Sequence, residues 1–288
     1  MSLSMFQAFV LAIVQGLTEW LPVSSSGHLA ISYMVLGVEP PLMFNLMVHV
    51  GTLGAVTWMF RRELKRILCA VPRMLQSIVF MSLPSAKDRE ARMAFYLAAA
   101  TVPAAVAGFV LKGHAESAFS SIPMLSAAFI FTGIVLLSTR GLGARRSEHR
   151  NTRGNMDALG SGSTLTPGRG MVVGLAQILT IFPGVSRSGL TISAGLHSGI
   201  ARMEAARFSF LLSIPLILGS ALFEAYTTHT ATLSPDILPQ MILGAIVSLI
   251  VGLMSLRLLI GIIARGRFYL FAPYCISIGS GLLIWSML

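Results

Sequence analysis

The sequence predicts an all-α polytopic membrane protein made of two related halves in inverted orientation. An apolar composition, a segregated pattern of basic residues and an internal repeat carry this prediction. Of the 288 residues, 55% are hydrophobic and only 11% are charged, whereas soluble domains have about 25% charged residues. Much of the surface must therefore face lipid. The alternating strands typical of outer-membrane barrels are missing, so the spans are expected to be helical.

Ten apolar segments are predicted to be helices. A membrane-spanning helix needs about 20 residues, and six segments are long enough: 42–60, 92–111, 121–138, 208–226, 239–263 and 268–287. The other four are short and form two broken pairs, 5–19 with 25–37 and 170–182 with 189–199. Pro22 and a serine run interrupt the first pair, and Pro183-Gly184 interrupts the second. Each pair is predicted to be a re-entrant hairpin, since non-helical backbone at membrane depth must line a cavity or be buried in protein.

The basic residues indicate the orientation of these segments. The net charge of +10 does not point to nucleic acid, because the basic residues lie between the apolar spans and are better explained as topogenic charge. Eight of the 21 fall in 61–92 and six in 140–169, which are expected to be cytoplasmic, while 1–41 has none. The first hairpin then opens outward and the second toward the cytoplasm. The predicted units are a first repeat, a cytoplasmic linker and an inverted second repeat, at 1–138, 139–169 and 170–288.

An internal repeat supports two halves independently of charge. A shift of 162 positions places QGLTEWLPVSSSG (15–27) on QILTIFPGVSRSG (177–189) without gaps, and seven of the thirteen residues are identical. Inverted repeats with broken helices place their ligand site near the membrane midplane, between the repeats. The two hairpin tips are therefore predicted to form one polar site inside the bilayer.

The differences between the two copies indicate the chemistry of that site. Ser25 of the first copy corresponds to Arg187 of the second. An arginine at the bilayer centre costs about 2.5–3.5 kcal/mol on insertion scales, so it needs an anion, either a phosphate or Glu19. A Glu19–Arg187 pair that only locks the halves together is the alternative. Serine runs at both tips are typical of helix N-termini that bind anions, and the phosphate-binding candidates are Gln15, Ser24, Ser26, Gly27, Ser186, Ser188 and Thr191.

A nucleophilic group is predicted in the first hairpin. Ser25 and His28 are three residues apart and would share one face of a helix. Glu19 lies before the break and could fold back onto them. A hydroxyl, a base and an orienting carboxylate form a nucleophilic constellation, so the catalytic candidates are Glu19, Ser25, His28 and Arg187. A packing histidine that bonds a carbonyl is the alternative for His28.

These motifs resemble those of a known family. QGLTEWLPVSSSGHL (15–29) and PGVSRSGLT (183–191) are similar to the two motifs of bacterial undecaprenyl-diphosphate phosphatases of the bacitracin-resistance type. HVGTLGAV (49–56) and FSFLLSIP (208–215) are also similar, so the resemblance covers nearly the whole chain. It implies hydrolysis of undecaprenyl diphosphate to the monophosphate carrier lipid for peptidoglycan synthesis, in the bacterial plasma membrane.

The resemblance also implies a divalent cation, Mg²⁺ or Ca²⁺, with Glu19 as a candidate ligand. Gln15 stands where many members have Glu, which leaves the ligand set open. Ser25 is expected to attack the terminal phosphorus, assisted by His28 and Glu19, and direct attack by water is the alternative. Topology predicts a site open to the outer, periplasmic face. A lipid-phosphate flippase or anion transporter is the alternative function, and a homodimer is left open.

Overall fold

The computed structural model describes residues 3–39, 41–119, 121–142, 164–227 and 237–287. Among these residues there are helices and turns but no strand. The α-helices are α1 Met5–Thr18, α2 Ser25–Leu36, α3 Leu42–Met59, α4 Arg61–Val79, α5 Arg89–Val110, α6 Lys112–Phe119, α7 Ile122–Ser138, α8 Pro167–Ala176, α9 Arg187–His197, α10 Arg202–Thr227, α11 Leu238–Ala264 and α12 Ala272–Trp285. Two 3-10 segments, Gln177–Ile181 and Phe268–Phe271, follow α8 and precede α12. Most of the predicted linker, 143–163, lies outside the described residues.

The helices confirm a multi-pass membrane protein. Five stretches are long and apolar enough to cross a membrane: Leu42–Met59, Arg89–Val110, Arg202–Phe223, Leu238–Ala264 and Phe268–Trp285. The sixth predicted span, α7, has 17 residues, which is at the lower limit for crossing. Helix α1 has 14 residues and α2 has 12. At 1.5 Å per residue, neither reaches across a hydrocarbon core of about 30 Å, as the prediction of a broken first hairpin requires.

Helices of the first half pack extensively on helices of the second half. Helix α1 packs on α11 of the second half, and α8, which opens the second hairpin, packs on α5 of the first half. Likewise α3 packs on α11 and α10 on α5, while α7 and α12, which end the two halves, pack on each other. This reciprocal pattern agrees with an internal repeat. The inverted membrane orientation of the halves stays a prediction.

Glycines allow these helices to approach closely. A Cβ atom on Gly51 of α3 would lie 2.1 Å from the Ser248 hydroxyl oxygen and 2.3 Å from the Ala245 carbonyl oxygen of α11. A Cβ on Gly174 of α8 would lie 2.6 Å from the carbonyl oxygen of Ala100 on α5. Small residues at membrane helix interfaces permit such approach. The core between the halves therefore has no room for larger side chains at these positions.

The basic stretch 61–92 differs from the prediction. It was expected to be a loop between spans, but it forms all of α4 and the first turn of α5. In α4, Ile67, Ala70 and Met74 recur at helical spacing and are buried, while charged residues elsewhere on the helix lower its mean hydropathy. A search for long apolar runs therefore misses it. Several apolar side chains of α4 are exposed beside the basic ones, namely Leu68, Leu75, Ile78 and Val79. Amphipathic helices with this pattern are typical of the membrane interface.

Candidate active site

The two hairpin tips have the same local structure. Ser24 is the N-cap of α2, and its hydroxyl accepts a hydrogen bond from the Gly27 N–H at 3.3 Å. Ser186 is the N-cap of α9, and its hydroxyl accepts from the Gly189 N–H at 3.1 Å. Side-chain capping of this kind satisfies an N–H group that has no acceptor within the helix. The two helix N-termini predicted from the serine runs are confirmed.

The tips face each other across the interface between the halves. A Cβ atom on Gly27 would lie 3.1 Å from the Gly184 Cα, and one on Gly189 would lie 3.4 Å from the Pro22 Cβ. Pro22 and Gly184 correspond in the repeat, as do Gly27 and Gly189. Each tip therefore contacts the equivalent part of the other tip. This arrangement brings the N-termini of α2 and α9 together.

The last helix of each half supports the two tips in matching ways. The Pro22 carbonyl accepts from the Cys275 thiol of α12 at 3.5 Å. The equivalent Gly184 carbonyl accepts from the Thr132 hydroxyl of α7 at 3.2 Å. Both carbonyls lie in turns without helical partners, so a buried donor from a neighbouring helix satisfies each one. The non-helical backbone of the tips is thus accommodated inside protein, as a membrane protein requires.

Glu19 is the centre of a polar cluster between the tips. Its Oε1 accepts from Arg187 Nη2 at 2.5 Å. Its Oε2 accepts from Gln15 Nε2 at 2.9 Å and from the Ser25 hydroxyl at 2.6 Å. A hydroxyl whose proton points at a carboxylate is arranged for transfer of that proton to a base. The structure therefore brings Glu19, Ser25, Arg187 and Gln15 together, and the carboxylate is the group next to Ser25.

The end of α1 explains how the first hairpin assembles its part of the cluster. Gln15 and Glu19 are one helical turn apart, and the Glu19 N–H still donates to the Gln15 carbonyl at 2.9 Å. The chain then turns so that Ser25 reaches back to Glu19. At the turn, Ser24 has φ +69° and ψ 100°, a left-handed backbone that non-glycine residues rarely adopt. Such strain stores about 1–3 kcal/mol and is concentrated at functional sites.

Arg187 is held from two further directions. Its Nη1 lies 3.5 Å from the Ser213 carbonyl oxygen of α10, which is the outer limit for a hydrogen bond. Its guanidinium carbon lies 5.8 Å from the centre of the Trp20 ring, within range of a cation–π interaction. Only 14% of the Arg187 side chain is exposed. The guanidinium is therefore buried with one strong partner, Glu19, and one weak one.

His28 does not contact Ser25 as the sequence predicts. Its Nδ1 lies 2.8 Å from the Ser24 carbonyl oxygen and its Nε2 lies 2.7 Å from the Tyr274 hydroxyl. A carbonyl only accepts, so Nδ1 carries a proton; when the ring is neutral, Nε2 accepts from the Tyr274 hydroxyl. The group next to the Ser25 hydroxyl is therefore Glu19, and not His28, which the sequence also predicts as a base. Tyr274 lies 246 residues from His28 along the chain, and no local signal in the sequence indicates this contact.

Two predicted substrate-binding hydroxyls make hydrogen bonds within the protein. The Thr191 hydroxyl donates to the Arg187 carbonyl at 2.7 Å and lies 2.6 Å from the Ser209 hydroxyl of α10. The Ser188 hydroxyl donates to the Leu21 carbonyl at 3.3 Å. Thr191 and Ser188 are both buried. These hydrogen bonds position the second tip, and contact of Thr191 and Ser188 with substrate stays a prediction.

The remaining candidates differ in exposure. Ser24 and Ser186 are buried caps, and Gly27 is buried between the tips. Ser26 is only half-buried, and its hydroxyl lies 3.3 Å from that of Ser24. Its side chain is thus the most accessible hydroxyl of the first tip apart from Ser25. Among the predicted phosphate-binding groups, Ser26 and the helix-terminal N–H groups lie best for contact with a bound anion.

A divalent cation fits this site only together with a phosphate. Within the described part of the chain, no group of three His, Cys, Asp or Glu side chains is arranged to hold a metal ion by itself. However, Gln15 Oε1 is buried beside Glu19 and has no hydrogen-bond partner there. Mg²⁺ prefers oxygen ligands, and proteins often hold it by one carboxylate together with substrate phosphates and water. Gln15 and Glu19 offer such a partial ligand set.

Comparison with known proteins covers nearly the whole chain. Residues 8–281 match the family model described as Bacitracin resistance protein BacA. A curated protein of Desulfosudis oleivorans, named undecaprenyl-diphosphatase, is 39% identical over 97% of each chain. Proteins with the same name from Korarchaeum cryptofilum and Treponema denticola are each 37% identical, over 96% and 98% of this chain and 97% and 98% of their own length. The matched region includes both hairpin tips.

Proposed function

Because this chain belongs to the family of bacitracin resistance proteins, we propose that Glu19, Ser25 and Arg187 form the reaction centre of an undecaprenyl-diphosphate phosphatase. The enzyme hydrolyses undecaprenyl diphosphate to undecaprenyl phosphate and inorganic phosphate, and thereby recycles the carrier lipid for peptidoglycan synthesis. The observation that supports this centre is the Ser25 hydroxyl bonded to Glu19 at 2.6 Å. Arg187 lies on the same carboxylate, inside a fold that spans the membrane.

The first step is attack by the Ser25 oxygen on the terminal phosphorus. The Ser25 proton passes to Glu19 as the bond from the phosphorus to the bridging oxygen breaks. Glu19 then gives this proton to the departing undecaprenyl phosphate, and the phosphoryl group stays on Ser25. In the second step Glu19 takes a proton from water, the water oxygen attacks the phosphoserine, and the proton returns to the Ser25 oxygen. The products are undecaprenyl phosphate, inorganic phosphate and free enzyme.

Arg187 stabilises the charge on the transferred phosphoryl group. The planar guanidinium binds two phosphate oxygens side by side, and the long contact to the Ser213 carbonyl is the one a phosphate would replace. Preorganised positive charge of this kind is the main protein contribution to phosphoryl transfer. A divalent cation, when bound by Gln15 and Glu19, would add positive charge next to the phosphate oxygens.

Phosphate release tests the activity and the metal requirement. Purified full-length protein in detergent should release phosphate from C55 isoprenyl diphosphate, and a chelator should lower the rate until Mg²⁺ or Ca²⁺ is restored. A pure flippase or anion transporter would release none. Shorter isoprenyl diphosphates, measured alongside, would show the preferred chain length.

Replacement of Ser25 by Ala is expected to lower kcat/KM at least roughly 10³-fold, because a nucleophile has been removed. With substrate carrying ³²P in the terminal phosphate, acid-quenched wild-type protein should retain label and Ser25→Ala should not. The matched control for labelling is Ser26→Ala, which removes a neighbouring hydroxyl and leaves Ser25 on Glu19; it should retain the label even if substrate binding weakens. Full activity in Ser25→Ala would exclude the nucleophile, and an inactive Ser25→Ala beside an unlabelled wild type would favour direct attack by water.

Replacement of His28 by Ala is expected to lower kcat/KM by only about tenfold, in keeping with loss of one hydrogen bond. Tyr274→Phe removes the same hydrogen bond and should have a similar effect. The double variant should be no worse than either single one, because contacting residues are not additive. If His28 were the base, His28→Ala would resemble Glu19→Gln and Tyr274→Phe would change little.

The active site is proposed to open to the outer face of the bacterial plasma membrane, and the distribution of basic residues supports this orientation. A cysteine at Ser120 should react with an impermeant thiol reagent in intact cells, whereas one at Ser147 should not. Both positions lie outside the described residues. The background needs Cys69→Ser, since Cys69 is exposed and Cys275 is buried. Labelling at 147 and not at 120 would reverse the orientation.

A further inference from the structure

A second polar cavity lies where the basic stretch of α4 and α5 meets the second half. It has a volume of about 250 Å³ and is lined by α4, α5, α10 and the residues that precede α8. None of its lining residues belongs to the reaction centre. The charged side chains that line it are Arg66, Arg89, Arg92, Arg207, Glu63, Glu90 and Glu204.

Three buried aromatic rings separate this cavity from the reaction centre. Trp20, which faces the Arg187 guanidinium, meets Phe210 edge to face with ring centres 6.0 Å apart. Phe210 in turn lies 6.0 Å from Phe60. Phe60 directly precedes α4, which lines the cavity. Arg207 of α10 also lines the cavity. The cavity is therefore a separate site, on the other side of an apolar layer.

The cavity has an excess of positive charge. Four arginines line it against three glutamates. In addition, α4, α5, α8 and α10 all begin at this face, and the lining residues come from the first turns of α4, α5 and α10, from the turns that follow, or from just before α8. Each helix N-terminus carries about half a positive elementary charge. Acidic residues in the first turn are the usual complement to that charge, but here they are outnumbered by the arginines.

Protein donors hold two of the three acids. Glu63 accepts from Arg207 at 2.5 Å. Glu204 is buried and accepts from the backbone N–H of Thr164 at 2.8 Å as well as from its hydroxyl. Arg66 and Arg89 also line the cavity and are exposed at the surface, and both make further contacts within the protein. Two of the acids are thus bonded within the protein, and two exposed guanidinium groups line the cavity beside them.

We propose that this cavity is a second anion site, which binds a phosphate dianion, either inorganic phosphate or the headgroup of a phosphomonoester lipid. Arginine forks suit phosphate oxygens, and 250 Å³ leaves room for a phosphate with its waters. The adjacent exposed apolar residues of α4 place the mouth at the depth of lipid headgroups. This inference does not depend on the proposed reaction, although both products of that reaction belong to the same chemical class.

Titration calorimetry with inorganic phosphate tests the site. The full-length Glu19→Gln/Arg187→Gln variant, in nanodiscs of neutral lipid, removes the charges of the reaction centre. This protein should bind phosphate, and adding Arg66→Gln/Arg89→Gln should weaken binding by about tenfold or more. The matched control, Arg62→Gln/Lys65→Gln, removes two exposed charges of α4 that do not line the cavity, and should bind as before. No binding, or equal loss in the control, would overturn the proposal.

Two further arms keep the result decisive. Arg66→Lys/Arg89→Lys keeps the two charges but loses the planar guanidinium groups, and should bind phosphate with intermediate affinity. As a check on folding, the same substitutions in the wild-type background should leave phosphatase activity unchanged. Discs with phosphatidic acid, a phosphomonoester lipid, are compared with discs of phosphatidylglycerol, a diester. If the headgroup is the ligand, phosphatidic acid alone blocks phosphate binding; if free phosphate is the ligand, neither lipid does. Equal blocking by both lipids would contradict a site selective for phosphomonoesters.

Discussion

Replacement of Arg187 by Gln is expected to destabilise the protein by roughly 3–5 kcal/mol, because it leaves a buried carboxylate without its counter-ion. Glu19 and Arg187 expose only 7% and 14% of their side chains, so water cannot take the place of the missing partner. When Glu19 is changed to Gln as well, no buried charge remains. The double variant is therefore expected to regain most of the lost stability.

The same pair of variants separates a structural role from a catalytic one. Stability is measured as the midpoint of thermal unfolding in detergent, and activity as phosphate release by the folded fraction. We expect the double variant to be stable but inactive, since it has neither base nor guanidinium. If the pair only locked the two halves together, activity would return with stability. A matched control is Glu63→Gln/Arg207→Gln, which neutralises an ion pair of equal length outside the reaction centre and should leave the activity measurable.

Replacement of Glu19 by Gln alone is expected to lower kcat/KM by about 10²–10⁴-fold, the usual contribution of a general base. Gln has nearly the same shape as Glu but cannot accept the Ser25 proton. It also leaves the buried Arg187 without its counter-ion, so the variant is expected to be less stable, and its rate is expressed per folded protein, well below its unfolding midpoint. Glu19→Asp keeps the charge, but its shorter side chain places the carboxylate farther from the Ser25 hydroxyl than the 2.6 Å of Glu19. The loss of kcat/KM should therefore be smaller than in Glu19→Gln. Initial rates are compared at saturating cation.

An unchanged rate in Glu19→Gln would exclude this carboxylate as the base. A rate that falls with the thermal midpoint in both Glu19→Gln and Glu19→Asp would indicate a structural effect instead. If Glu19 is the base, Glu19→Gln will show a large loss of rate per folded protein. Retention of the ³²P-labelled serine in Glu19→Gln would further show that the second, hydrolytic step has been slowed.

The membrane spans could be predicted because they need only length and apolar composition. Helix α4 could not, since its charges hide an apolar face that becomes evident only when Ile67, Ala70 and Met74 are placed against a core. Segments whose stability comes from tertiary packing have a weak signal in the sequence.

The candidate site was predictable as far as the internal repeat reaches. Alignment of the two copies pairs Ser25 with Arg187 and singles out Glu19, and the structure brings these three residues together. For His28, the contact with a carbonyl was the alternative prediction, but its contact with Tyr274 and that of Thr191 with Ser209 were not predictable. Helical spacing shows which residues share a face, but it does not show what that face meets, and the partners of these two residues come from α12 and α10.

The exchanged packing of the two halves has a consequence for biogenesis. Because α1 packs mainly on α11, it finds this partner only after residue 264 has been made. We expect chains arrested before residue 238 to leave α1 open to protease, and completed chains to protect it. Protection of α1 in the arrested chains would show that the first half folds alone. If α1 docks this late, Glu19 reaches the membrane interior only after Arg187 has been synthesised. The two opposite charges are then expected to enter the membrane interior as a pair.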